Sequence, residues 1–139
     1  MRWKYFTLDE LTRSETAKRL GYINVPTQEN IENLDKLVTN ILDDMREAWG
    51  SPIRISSGYR VPRLNKAVGG VANSKHLEGK AADIQPIGKD FDEFTAFVVE
   101  WLKDKDFDEC IIESNGKTRW IHISYDENNN RKKIFTLNK

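Results

Sequence analysis

SKHLEGKAADI, residues 74–84, carries one of only two histidines in the chain and reaches an aspartate seven positions later. Gly79 permits a turn between them, and the small side chains of Ala81 and Ala82 let a strand pass close to its neighbours. Read with a period of two, AADI (81–84) is a short strand with Ala82 and Ile84 on one face and Ala81 with Asp83 on the other. The second histidine lies in RWIHISY (119–125), where Ile121 and Ile123 share one face and Trp120, His122 and Ser124 share the opposite one. Each strand therefore offers one candidate ligand from the face opposite its aliphatic residues. His76 enters from the loop before the first strand.

Two imidazoles and one carboxylate make three protein ligands, the number expected of a catalytic zinc that keeps a fourth position for water. Fe(II) in a two-histidine, one-carboxylate triad is the alternative metal. A structural zinc site normally closes with four ligands and favours cysteines, and Cys110 is the only cysteine. Taken singly, either histidine also reads as a hydrogen-bonded surface or core residue, because a His-x6-Asp spacing arises by chance.

Outward from these strands, the strongest helical signal follows Pro26-Thr27. Ile31, Leu34, Leu37, Val38, Ile41, Leu42, Met45 and Trp49 recur at spacings of three and four, and Gly50 with Pro52 ends the run. Thr7 with Glu10 fits a capping box for a short helix, and Ser14 starts another that stops at Gly21. A further helix is predicted from about Asp90 to Lys103, with Phe94, Phe97, Val98, Trp101 and Leu102 on one face. Residues 53–57 alternate as a strand, residues 58–79 read as a long irregular but ordered loop, and strands are predicted at 107–113, 119–125 and 131–137. Helices followed by a mostly antiparallel sheet describe a small α+β domain.

The 139 residues suit a single domain over 1–139, with 22 basic and 22 acidic side chains in balance. That balance argues for no nucleic-acid partner, and no apolar run is long enough for membrane insertion. The N-terminus turns polar within ten residues and lacks the apolar core of a signal peptide, so synthesis in a reducing cytoplasm is expected.

SKHLEGKAADI followed by WIHIS resembles the M15 zinc peptidases, the D-Ala-D-Ala carboxypeptidase and peptidoglycan L,D-endopeptidase group, whose pattern is SxHxxGxAxD and then WxH. ISSGYR (55–60), the Asn65 loop with Gly69-Gly70 and the N-terminal helical region look like the small, phage-associated branch of that family. The resemblance implies a Hedgehog-like or D,D-peptidase-like fold: N-terminal helices on a small sheet carrying a zinc site. It also implies His76, Asp83 and His122 as ligands of one Zn²⁺ per chain.

It further implies a general base. In the family a glutamate at the end of the preceding strand, or an acid shortly before the last histidine, has this role. Arg119 stands three residues before His122, so Glu113, nine residues before it, is the candidate. A tight two-residue turn at Asn115-Gly116 would pair Glu113 with Thr118, roughly 13 Å along the strand from His122, and would face Glu109 to that histidine instead. Glu113 serves only if residues 114–119 form a wider loop. Glu109 is the reserve, and Glu78 is the weakest candidate.

Arg60 is expected to hold a substrate carboxylate or help stabilise an oxyanion, against the plain reading of a surface ion pair. Ser74 and Ser124 flank the histidines as substrate-binding groups or supports for the ligands. Tyr59 and Trp120 are candidate cleft walls, Asn65 holds the loop or a ligand, and Cys110 is expected to be buried and inert. The implied function is a zinc peptidase acting on peptidoglycan stem peptides, an endolysin-like L-Ala-D-Glu endopeptidase or a D,D-carboxypeptidase. It is expected to be a monomer of phage or prophage origin that acts on the cell wall after release. A non-catalytic zinc-binding module and a phage structural component are the rival readings.

Overall fold

The computed structural model describes residues 2–139. Helix α1 (Leu8–Thr12) starts with the capping box of Thr7 and Glu10, and α2 (Glu15–Leu20) runs from the Ser14 cap to Gly21. The long apolar repeat forms one continuous helical rod: α3 (Gln28–Leu37), a π-helical turn (Val38–Leu42) and α4 (Asp43–Trp49), stopped by Gly50 in the left-handed region. Its stripe of Leu34, Leu37, Val38, Ile41, Leu42 and Met45 is fully buried, which is what an apolar face at this period is for.

Five strands form one sheet in the order β1-β2-β4-β3-β5. They are β1 (Ile53–Ser57), β2 (Ala81–Pro86), β3 (Glu109–Ser114), β4 (Arg119–Ser124) and β5 (Lys133–Asn138). Every pair is antiparallel except β5, which runs parallel to β3. Ile53, Ile55, Ala82, Ile84, Cys110, Ile121 and Ile123 face the helices and join the core, together with Phe94, Val98 and Leu102 from α6 (Phe91–Trp101) and the turn after it. The architecture is α+β, with α3, α4, α6 and the core on one face of the sheet and the candidate ligands on the other.

That second face is set by register. Asp83 pairs with His122, His122 with Ile111, and Ile111 with Phe135, so these four side chains form one row across four strands. A bulge between Ile55 and Ser57 brings Ser57 opposite Asp83. Strict alternation would have left Ser57 on the core face with Ile53 and Ile55, so the bulge re-aims it.

One local feature departs from the sequence reading. Residues 58–79 are not wholly irregular: they contain α5 (Pro62–Ala67) and a 3₁₀ turn at Lys75–Glu78. The helix starts on Pro62, which is suited to a first helical position, but buries only Leu64 and Asn65 and so shows no apolar period. The β3–β4 connection is the wider loop that a role for Glu113 requires, not a two-residue turn. Ser114 pairs with Arg119, and the Asn115 side chain accepts hydrogen bonds from the Lys117 and Thr118 backbone between them.

Candidate metal centre

Three elements deliver the candidate ligands. His76 rides on the 3₁₀ turn, whose cap Ser74 accepts a hydrogen bond from the His76 backbone N–H and whose end is Gly79 at φ 76. A side chain at Gly79 would meet the Asn30 carbonyl at 2.5 Å, so glycine also lets this turn seat against α3. Asp83 and His122 face each other from β2 and β4. One donor atom from each of the three residues lies within 4.8 Å of the others, and all three residues are buried.

The protonation chemistry of His76 bears directly on whether a cation fits. Its Nδ1 lies 2.7 Å from the Gly58 carbonyl oxygen, which only accepts, so Nδ1 carries a proton. In neutral imidazole the Nε2 lone pair then points at Asp83 Oδ1, 3.2 Å away. His122 Nδ1 lies at the same 3.2 Å from that oxygen. Burial holds His76 below the ordinary histidine pKa, with Asp83 only partly offsetting it, so a second proton is disfavoured. A metal cation satisfies these facing lone pairs without protonating a buried ring, and two nitrogens with one carboxylate oxygen suit zinc. Burial pushes Asp83 up, but the two histidines outweigh it and hold the carboxylate well below its usual range.

The aspartate is oriented from behind. Arg60 Nη2 donates to Asp83 Oδ2 at 3.2 Å, which leaves Oδ1 for the histidines. The same guanidinium donates from Nε to Ser57 and from Nη1 to Asn65, and Asn65 in turn donates to the Val71 carbonyl. A side chain at Gly70 would meet Asn65 Oδ1 at 2.1 Å, so this latch requires glycine there. Such partners behind the ligands are what fix ligand geometry in metal sites.

The centre opens into a cleft of about 390 Å³ that holds Arg60, Glu109, Ile111 and Glu113 beside the candidate ligands. A larger groove of about 690 Å³ between α1, α2 and β1 contains none of the three, so the chemistry belongs to the smaller one.

The family model described as Peptidase M15 matches residues 4–124. The chain belongs to the peptidase M15 family. Over 81 residues it is 37% identical to the zinc D-Ala-D-Ala carboxypeptidase of Streptomyces albus G, a stretch that is 57% of this chain and 30% of that protein. The chain thus matches less than a third of that relative's length.

In this M15 chain the observed register puts Ile111 opposite His122, with Glu109 and Glu113 each two residues from Ile111 on the same face. That is about 6.6 Å along the strand for either acid. Their surroundings differ. Glu113 is buried, accepting from Trp120 Nε1 at 3.2 Å and pairing with Lys139 at 2.8 Å. Glu109 is drawn toward Arg131, 3.4 Å away. Glu78 is half-exposed beside Lys75 and Lys80 and stands away from the cleft.

Other expected contacts fall differently. Tyr59 does not wall the cleft: its ring is in the hydrophobic core, and its backbone N–H is tied to the Leu11 carbonyl. Trp120 reaches the cleft through Glu113 rather than lining it. Arg60 stands three residues past the end of β1 rather than at it. Ser74 lines the cleft, while Ser124 is fully buried, accepting from the Glu109 N–H and donating to Asp108. Asn65 holds the loop. Gly58, whose carbonyl sets the His76 tautomer, gave no sequence signal for that role, because any residue type has a carbonyl. Among the described residues, no helix is long and apolar enough to cross a membrane.

Proposed function

We propose that this chain is a zinc peptidase that hydrolyses a peptide bond in the stem peptide of bacterial peptidoglycan, with His76, Asp83 and His122 as metal ligands and Glu113 as general base. The observation that carries the reading is the convergence of His76 Nε2 and His122 Nδ1 on one oxygen of an aspartate whose other oxygen is held by Arg60. Family membership and the zinc D-Ala-D-Ala carboxypeptidase relative support both the metal and the substrate class.

Zinc at this centre would supply Lewis acidity toward a water molecule and the scissile carbonyl. The chain's own groups do the rest. Glu113 accepts the proton of the attacking water and returns it to the leaving amine. Trp120 Nε1 and Lys139 hold that carboxylate in place from two sides. Three of the five N–H donors of Arg60 are committed to Ser57, Asn65 and Asp83, which leaves two for a substrate carboxylate or oxyanion. Ser74 borders the substrate next to His76.

The finer reading is an endolysin-like L-Ala-D-Glu endopeptidase of phage or prophage origin, monomeric, made in the cytoplasm and acting on the wall after release. A D,D-carboxypeptidase is its nearest alternative and matches the relative's name. Mass spectrometry of the products from purified peptidoglycan tests both. New L-alanine carboxyl termini identify the endopeptidase, and free D-alanine identifies the carboxypeptidase. Stoichiometric zinc with no product from any wall preparation would favour a non-catalytic module.

A further inference from the structure

The family match ends at residue 124, but the cleft does not. Past that point the chain loops back and lays β5 parallel to β3, placing Phe135 beside Ile111 and Leu137 beside Glu113. Both side chains line the cleft with the candidate ligands, and both remain 41% exposed. Ile111, between Phe135 and His122 in the row, is largely buried and lines the cleft with them. An apolar strip therefore starts at the metal centre and runs outward to the edge of the sheet.

Charge is present on either side of the strip but is already spoken for. Arg131 is gripped by buried Asp108 at 2.7 Å and reaches Glu109, and Lys139 is paired with Glu113. What the strip itself offers a ligand is apolar contact. A half-exposed phenylalanine and leucine on an edge strand are a liability unless something covers them. Their continuity with the catalytic row points to the substrate as that cover.

Distance along the row sets which part of the substrate. Phe135 is two strands from His122, about 10 Å at ~4.8 Å per strand, and an extended peptide advances about 3.3 Å per residue. We propose that Phe135 and Leu137, beside Ile111, form a specificity subsite for an apolar side chain of the peptide substrate about three residues from the cleaved bond. This deepens the peptidase reading and rests on it.

The test uses zinc-loaded full-length protein and synthetic peptides spanning the bond it cleaves in peptidoglycan, with leucine or glycine placed at each position in turn. The expected result is a leucine preference of about tenfold in kcat/KM at one position, about three residues from the cleaved bond. Phe135→Thr with Leu137→Thr, which keeps β-forming side chains, should reduce that preference to less than about twofold while zinc stoichiometry and the circular dichroism spectrum are retained. Should the double variant misfold, Leu137→Thr alone should show a partial loss. Phe135→Leu should retain the preference.

Cleavage with no positional preference, or a preference that survives the double variant, would overturn the subsite while leaving the peptidase reading intact. So would a concentration-dependent dimer in the wild type that the double variant abolishes, since a second copy would then be what covers β5. Absence of hydrolysis of any wall material would instead overturn the peptidase reading, and the subsite with it.

Discussion

Arg60 Nη2 and Asp83 Oδ2 lie 3.2 Å apart, both side chains largely withdrawn from solvent, and this contact decides which carboxylate oxygen faces the histidines. Arg60→Met takes the guanidinium away from the buried carboxylate and leaves it free to rotate. We expect a loss of about 3 kcal/mol in stability and a 10- to 100-fold weaker zinc affinity. Chelator competition and urea melts measure the two effects.

The latch behind Arg60 gives a contrast between adjacent glycines. A Cβ at Gly70 would collide with Asn65 Oδ1, whereas Gly69, at φ 78, has open space around it. Gly70→Ala should cost about 2–3 kcal/mol through the displaced latch and also weaken zinc binding. Gly69→Ala should cost only about 1–2 kcal/mol of backbone strain and leave zinc affinity unchanged. Thermal melts with and without zinc separate the two.

Acid should destabilise the metal-free protein earlier than carboxylate titration alone would. Burial depresses His76, so near pH 6.5 the unfolded chain takes up a proton that the folded one refuses. The stability linked to His76 is therefore fully present above about pH 6.5 and lost as pH falls toward the folded value, at up to ~1.4 kcal/mol per pH unit. Asp83, also depressed, adds a contribution present above about pH 4 and lost below it. Melting temperature of the chelated protein should drop between pH 7 and pH 5, and His76→Gln should flatten that drop. A wild-type melting temperature independent of pH over this range would contradict it.

Cys110 lies in the core, and burial pushes its thiol up to about 12. Native protein at pH 8 should resist a thiol-labelling reagent, with labelling that follows global unfolding, because the reactive thiolate is neither formed nor reachable. Rapid labelling of the folded protein would place this end of β3 outside the stable core.

Much of this structure was legible in the sequence because it is local. The apolar period from Ile31 to Trp49 and the helix starts at Thr7, Ser14 and Asp90 depend only on neighbours a turn away. The alternation in AADI and WIHIS likewise put Asp83 and His122 on a common face before any pairing was known. What stayed hidden depends on register and long-range pairing. The Asn115 side chain widens the β3–β4 turn and so decides that Ile111, rather than either glutamate, stands opposite His122. The bulge at β1 redirects Ser57 to Arg60, and no residue type announces it. The parallel seating of β5 rests on pairing with a strand more than twenty residues earlier, which periodicity in residues 131–137 does not encode.

The most direct test of the metal centre and its base is to compare zinc content and peptidoglycan hydrolysis in the wild type, Glu113→Gln and Glu109→Gln. One zinc per chain in all three is expected, with hydrolysis reduced about 10²- to 10⁴-fold in Glu113→Gln and largely retained in Glu109→Gln. Full hydrolysis by Glu113→Gln, with loss in Glu109→Gln, would contradict the assignment and move the base to the other end of β3.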